Sequence, residues 1–190
     1  MSHRFSLRAI RPRSKALAQG CVGLIAVAML CSACLVPPYP KDPRFATFTY
    51  ETDESVKVQE RVDSFNGRIP KLGATEGHVV VARFRDGSWI PAPDYQYWVT
   101  GVATVPDTTT TLLVDNSAGE SSLLPGIHPL LYEYVPEECS FTAVDPTVAN
   151  TILGTDQNDI YSEWGSFTIT KFAVSADCNL IIVTGDGINA

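Results

Sequence analysis

From Phe45 onward the chain is cut into about nine short runs rich in Val, Ile, Thr and aromatic residues, each ended by Gly, Pro, Asn or Asp. β-Branched and aromatic side chains fit a pleated, half-buried surface, and the punctuating residues fit tight turns. This pattern predicts an all-β chain: a β-sandwich or small barrel of about nine short strands with one short helix.

The runs follow one another as Phe45–Tyr50, Ser55–Val62, His78–Phe84, Tyr95–Val105, Thr109–Asp115, Leu130–Val135, Ser140–Val144, Gly165–Phe172 and Asn179–Thr184. In the second, Val56, Val58 and Val62 alternate with Lys57, Gln59 and Arg61, which is the period of a half-buried strand. Its Gln, Glu, Lys and Arg content is also compatible with a helix. Asn66-Gly67, Leu72-Gly73 and Asp86-Gly87 mark turns, and Gly101 marks a bulge or bend inside its strand. Ser88–Asp94, with two prolines, reads as an edge or loop. The helix is placed between Asp145 and Gly154: Asp145 can cap, Pro146 suits the first helical position and Gly154 suits the end. The last two runs form a hairpin turning between Val174 and Cys178.

The first 34 residues have a different grammar. Arg4, Arg8, Arg11, Arg13 and Lys15 precede an apolar run from Gly20 to about Leu30, and small residues follow. Basic head, apolar core and small-residue end are the parts of a secretory signal. Within it, Cys31-Ser32-Ala33-Cys34 resembles the lipobox of bacterial lipoproteins, with Cys31 standing where that family usually has Leu. The resemblance implies cleavage before Cys34, acylation of that cysteine, and attachment to a membrane, the outer one where the host has two, because Leu35 follows. It covers residues 1–34 only. Cleavage without lipidation stays open, as does a retained anchor, since Ala16–Val36 approaches the roughly 20 residues of a membrane span. The expected organisation is therefore a signal over 1–33, a proline-rich tether over 34–44, and one domain over 45–190.

Charge narrows the partners. The chain carries −7 overall, and the head alone holds five positive charges, so residues 34–190 carry −12. From Asp86 onward Lys171 is the sole Lys or Arg, against 14 acids. Nucleic-acid binding depends on Lys and Arg neutralising phosphates, so nucleic acid is not an expected partner. Anionic headgroups are repelled too, which leaves attachment to acyl chains or an anchor. Of five cysteines, cleavage before Cys34 removes Cys21 and Cys31, and lipidation uses Cys34. Cys139 and Cys178 remain as a pair for one disulfide in an oxidising compartment, with two buried free thiols as the alternative.

Catalytic signatures are weak. His78 and His128 are the two histidines after the head, and no GxSxG or Cys-His motif accompanies them. Glu137-Glu138 and the pair Asp156 and Asp159 could serve glycoside chemistry, but acids in loops are usually just solvated. Asp156-Gln157-Asn158-Asp159 offers oxygen ligands without matching a calcium loop. No phosphate-cradling glycine motif occurs, so no cofactor and no metal site is expected. The aromatic group Trp89, Tyr95, Tyr97 and Trp98 is the candidate binding surface, with Tyr95 and Tyr97 on one strand face and Trp98 on the other; core packing is the alternative. The expected function is a non-enzymatic binding or structural module of the cell envelope, acting on an envelope protein or glycan. A hydrolase of envelope polymers using loop carboxylates, or a secreted protein with a calcium-stabilised loop, are the alternatives.

Overall fold

Four long strands supply the frame: β2 (Glu76–Arg83), β3 (Tyr95–Thr104), β5 (Ser166–Ser175) and β6 (Leu180–Asn189). With the two-residue β1 (Gln59–Glu60) and the three-residue β4 (Thr142–Val144) they make one antiparallel sheet in the order β1-β2-β3-β6-β5-β4. These elements come from a computed structural model, which describes residues 39, 41–85, 94–117, 119 and 123–189. Both edges of the sheet are short, which limits the unpaired backbone offered to another chain.

The sheet is buried on both faces. One is covered by α1 (Val62–Arg68), α2 (Asp107–Asp115) and α3 (Pro146–Leu153), whose Phe65, Ile69, Leu113, Ala149 and Leu153 pack on Val79, Val99, Ile169, Ile181 and Val183. The other is covered by extended chain around Phe45 and by a 3₁₀-helix over Pro129–Tyr134. There Phe45, Ile127 and Leu131 pack on Val80, Trp98, Val102 and Ile182. Arg44 donates from Nη1 to the Val135 carbonyl at 2.9 Å, which fixes the start of the extended chain to the end of that helix.

The fold is thus predominantly β, but the described residues form one six-stranded sheet rather than the nine strands of a sandwich or barrel. Several expected strands take other forms. Phe45–Tyr50 is extended, with a single bridge from Phe45 to Leu124. Ser55–Val62 yields only β1 before α1 begins, because Phe65 and Ile69, four residues apart, bury together against the sheet. Thr109–Asp115 lies in α2 instead. Thr109 and Thr110 both donate to the Pro106 carbonyl, and Thr110 is buried with its hydroxyl on the Asp107 carbonyl. Local hydrogen bonding and the burial of Leu113 here outweigh the β preference of four threonines. Leu130–Val135 winds as the 3₁₀-helix, started by Pro129 and by the His128 side chain, whose Nδ1 accepts from the Leu130 amide. Asp86-Gly87 and most of Ser88–Asp94 lie outside the described residues.

Other expectations hold. β2, β3, β4 and the β5–β6 hairpin fall where the runs place them. In α3 the Asp145 carboxylate caps the amides of Thr147 and Val148, and Gly154 ends the helix at φ 72°. Gly101 does not bulge: β3 keeps its register on both sides, and the irregularity falls between Ile169 and Lys171 in β5. Gly101 and Gly77 instead form the seat of Phe65, since a Cβ on either would stand 2.5 Å from its ring. The disulfide joins Cys139 to Cys178 with Cα atoms 5.8 Å apart, pinning the hairpin turn to the segment entering β4.

Two outcomes follow. Removing the disulfide as Cys139→Ala/Cys178→Ala, which opens a loop of separation 39, is expected to cost about 4 kcal/mol by chain entropy; urea unfolding measures it, and an unmoved midpoint contradicts the assignment. His128 is buried against Trp98, Phe48 and Tyr39, and burial holds its pKa below the ordinary histidine value. Below about pH 6.5 the unfolded chain takes up a proton that the folded chain refuses, so stability falls on acidification. Melting temperatures between about pH 8 and 5.5 should show this slope in wild type, and a smaller one in His128→Asn.

Candidate functional site

The predicted aromatic group is divided by the pleat. Trp98 is fully buried on the face of the 3₁₀-helix, inside a cage of Phe48, Tyr50 and His128 rings, with its indole Nε1 unpartnered. Tyr97 is 3 % exposed on the helical face, and Tyr95, on the same side, is 37 % exposed. Trp89 lies outside the described residues. The structure therefore brings Tyr95 and Tyr97 together and assigns Trp98 to the core.

Around these two tyrosines lies a cleft of about 230 Å³, whose lining includes Arg61, Arg68 and Arg83. Each arginine arrives on a different element. Arg61 stands just before α1, Arg68 ends α1, and Arg83 ends β2. Arg83 lies over the Tyr95 ring at 4.2 Å. Arg68 lies over Tyr97 at 5.1 Å and over Trp164 at 4.9 Å, and Arg61 over Trp164 at 5.4 Å. Such cation–ring contacts contribute about 0.5–2 kcal/mol each, most when withdrawn from water.

The seating of Trp164 is built by its neighbours. The Tyr97 hydroxyl is 2.8 Å from the carbonyls of both Trp164 and Ser166 and donates to them, which fixes the turn entering β5. Gly67 leaves room for the indole, since a Cβ there would meet Nε1 at 2.3 Å. The end of α1 is fixed as well. Asn158 donates to the Arg68 carbonyl at 2.6 Å, and the Asn66 side chain exchanges two hydrogen bonds with the Ala74 backbone.

The charges are unevenly matched. Arg61 pairs with Asp63 at 2.5 Å, and Arg83 has Glu54 at 3.9 Å. Arg68 has no ion pair among the described residues. Its Nη1 donates to the carbonyl and the hydroxyl of Ser64 at 3.0 and 2.7 Å, while its Nε is buried with no partner. Burial pushes its pKa down and the nearby Tyr97 hydroxyl pushes it up; a guanidinium stays charged regardless. A position at the end of a helix favours a cation, but that does not explain its withdrawal between two rings. This arrangement can bind an anion at the Nη2 side of the Arg68 guanidinium, whose other donors are held by Ser64 or closed to solvent.

No protein-family model matches the chain, and no characterised protein or solved structure matches it.

The remaining candidates have local partners. His78 stacks on Tyr134 at 3.7 Å, and His128 caps the 3₁₀-helix. Asp159 accepts from the Tyr161 amide, and Asp156 lies in a short 3₁₀ turn over Thr155–Gln157. Glu137 and Glu138 occupy a turn. Among the described residues no three acidic, histidine or cysteine side chains gather as a metal site would need. The arginines were missed by sequence reasoning. The available signal was that eight of the nine Lys and Arg after the head precede Asp86, which charge totals alone conceal.

If Arg68 serves a ligand and not the fold, Arg68→Met is expected to stay within about 1 kcal/mol of wild type, because the lost ring contacts and Ser64 bonds are offset by relief of a buried, unpaired charge. Denaturant unfolding decides; a loss of about 2 kcal/mol or more, the scale of a broken buried interaction, would make the guanidinium structural.

Proposed function

We propose that the protein is an exported lipoprotein of the cell envelope, held by acyl chains on Cys34, whose domain is a non-enzymatic binding module working through the arginine cleft. Its partner is an envelope protein or glycan. The observation that supports binding is Arg68: a guanidinium with no ion-pair partner among the described residues, set between two rings in a concave site. The lining supplies three guanidiniums, two tyrosine rings and the Ser64 hydroxyl, with Glu54 as its one carboxylate. Support for the anchor comes from residues 1–34, and from an acidic remainder that would not itself adhere to anionic lipid. Among the described residues no helix is long and apolar enough to cross a membrane.

Protein extracted from membranes is expected to have an intact mass beginning at Cys34 plus acyl chains, with Cys139 and Cys178 alone alkylated after reduction. The same preparation, immobilised, is expected to retain components of a solubilised envelope that Arg68→Gln does not. A full-length mass with five alkylated cysteines would remove the anchor; equal retention by the variant would remove the cleft.

A further inference from the structure

We infer that the cleft is a carboxylate-binding site, in which Arg68 receives a single carboxylate borne at the end of a larger ligand while Arg61 and Arg83 flank it. This rests on the reading of the cleft as the binding site and names the chemistry that it takes.

The charge count sets the valence. Three guanidiniums face the cleft, and Asp63 and Glu54 answer two of them. Among the described residues one positive charge is left over. A monoanion balances it, whereas a phosphate dianion would leave the site negative in a chain whose surface is already acidic. With Nη1 held by Ser64 and Nε closed to solvent, Nη2 is the donor left to meet a carboxylate oxygen, in one charge-assisted hydrogen bond.

The donors set the position. Nη1 of Arg68 is committed to Ser64, and Nε is buried without an acceptor. Nε is closed to a ligand as it is to solvent, so an anion meets the delocalised charge of the guanidinium through Nη2. The guanidinium carbon lies 5.1 Å from the Tyr97 ring centre and 4.9 Å from that of Trp164, and Ser64 holds Nη1, so the side chain is set before the ligand arrives and little rotamer freedom is lost on binding.

The size sets the extent. At about 230 Å³ the cleft falls below the roughly 300–1,000 Å³ of sites that enclose a whole small ligand. It takes a terminal group and leaves the body outside; Gln59, Tyr95 and Asn189 complete the lining around the arginines. A carboxylate in that setting can come from a peptide C-terminus or from a sugar acid.

Calorimetric titration of the membrane-extracted full-length protein separates the sources and tests the inference. The probes are N-acetyl-alanyl-alanine against its amide, glucuronate against its methyl ester, and inorganic phosphate. One of the two acids is expected to bind, with its neutral counterpart about tenfold weaker or worse, the loss of about one charge-assisted bond. Arg68→Gln should weaken it by a similar factor and Arg68→Lys by less, since the charge stays. Near-UV circular dichroism confirms that each variant is folded, and a shift of the Arg68 Nε–H resonance in the wild type locates the ligand without any variant. Equal binding of the neutral counterparts, phosphate binding above both acids, or no binding of either acid would overturn the inference. If envelope components are still retained through Arg68 while both acids fail, the binding reading survives and the carboxylate assignment falls; if neither occurs, both fall.

Discussion

The central strands must be hidden on both sides. β3 is buried without interruption from Tyr97 to Ala103, and β6 from Ile181 to Gly185. A strand with apolar groups on both faces needs a layer on each, whereas a sandwich strand needs only one. The remaining elements supply those layers. Helices settle on the face of Val79, Val99 and Ile181, and the chain around Phe45 with the 3₁₀-helix settles on the face of Val80, Trp98 and Ile182. Adjacent Tyr97 and Trp98 show the consequence, since one ring enters each core. The disulfide then closes the rim where the β5–β6 turn meets the entry to β4.

Double burial also explains where the cleft lies. α1 has seven residues, one of them glycine, and no side-chain cap bond at its start. By itself it would not persist in water. Phe65 anchors it on the bare backbone of Gly77 and Gly101, and Asn66 and Asn158 hold its end. So anchored, it delivers Arg68 above the first residues of β3. The same close fit that makes α1 possible brings Trp164 onto Gly67. The cleft is the space left where the helical layer ends before the sheet does.

This architecture was legible in part. Runs such as HVVVARF and NLIIVTG announce strands, and the strands are there. Their consecutive Val and Ile residues also announce burial on two faces, and that points away from a sandwich; reading them only for strand propensity loses this information. The threonine-rich α2 could not be read locally, because its helix depends on Pro106 behind it and on Asn179 across the fold, whose amide donates to the Asp107 carboxylate. Asp145, Pro146 and Gly154 were legible because caps are local chemistry. The pairing of Cys139 with Cys178, which the structure shows, was legible only through what the lipobox resemblance implies for the other three cysteines, with two free thiols as the alternative. The cleft was not, because Arg61, Arg68 and Arg83 are unremarkable at their separate positions, and only the register of β2 with β3, together with the placement of α1, gathers them around Tyr95 and Tyr97.

An acidic protein with an arginine cleft meets two demands that one uniform surface cannot. At physiological ionic strength charges beyond about 8 Å are largely screened, so the −12 of residues 34–190 acts mainly on whatever comes close over a wide area. A polyanion does so and is repelled along its length. A single carboxylate on a small terminal group does not: it meets the acids over a few ångströms before it reaches Arg68. Selectivity then comes from repulsion of the wrong partner as much as from attraction of the right one. The cost falls on the fold, which withdraws a guanidinium from water and, among the described residues, gives it no carboxylate of its own. Pairing Arg68 internally, as Arg61 is paired with Asp63, would remove that cost and occupy the guanidinium with the protein's own side chain, so the proposed binding role rests on the same unmatched charge.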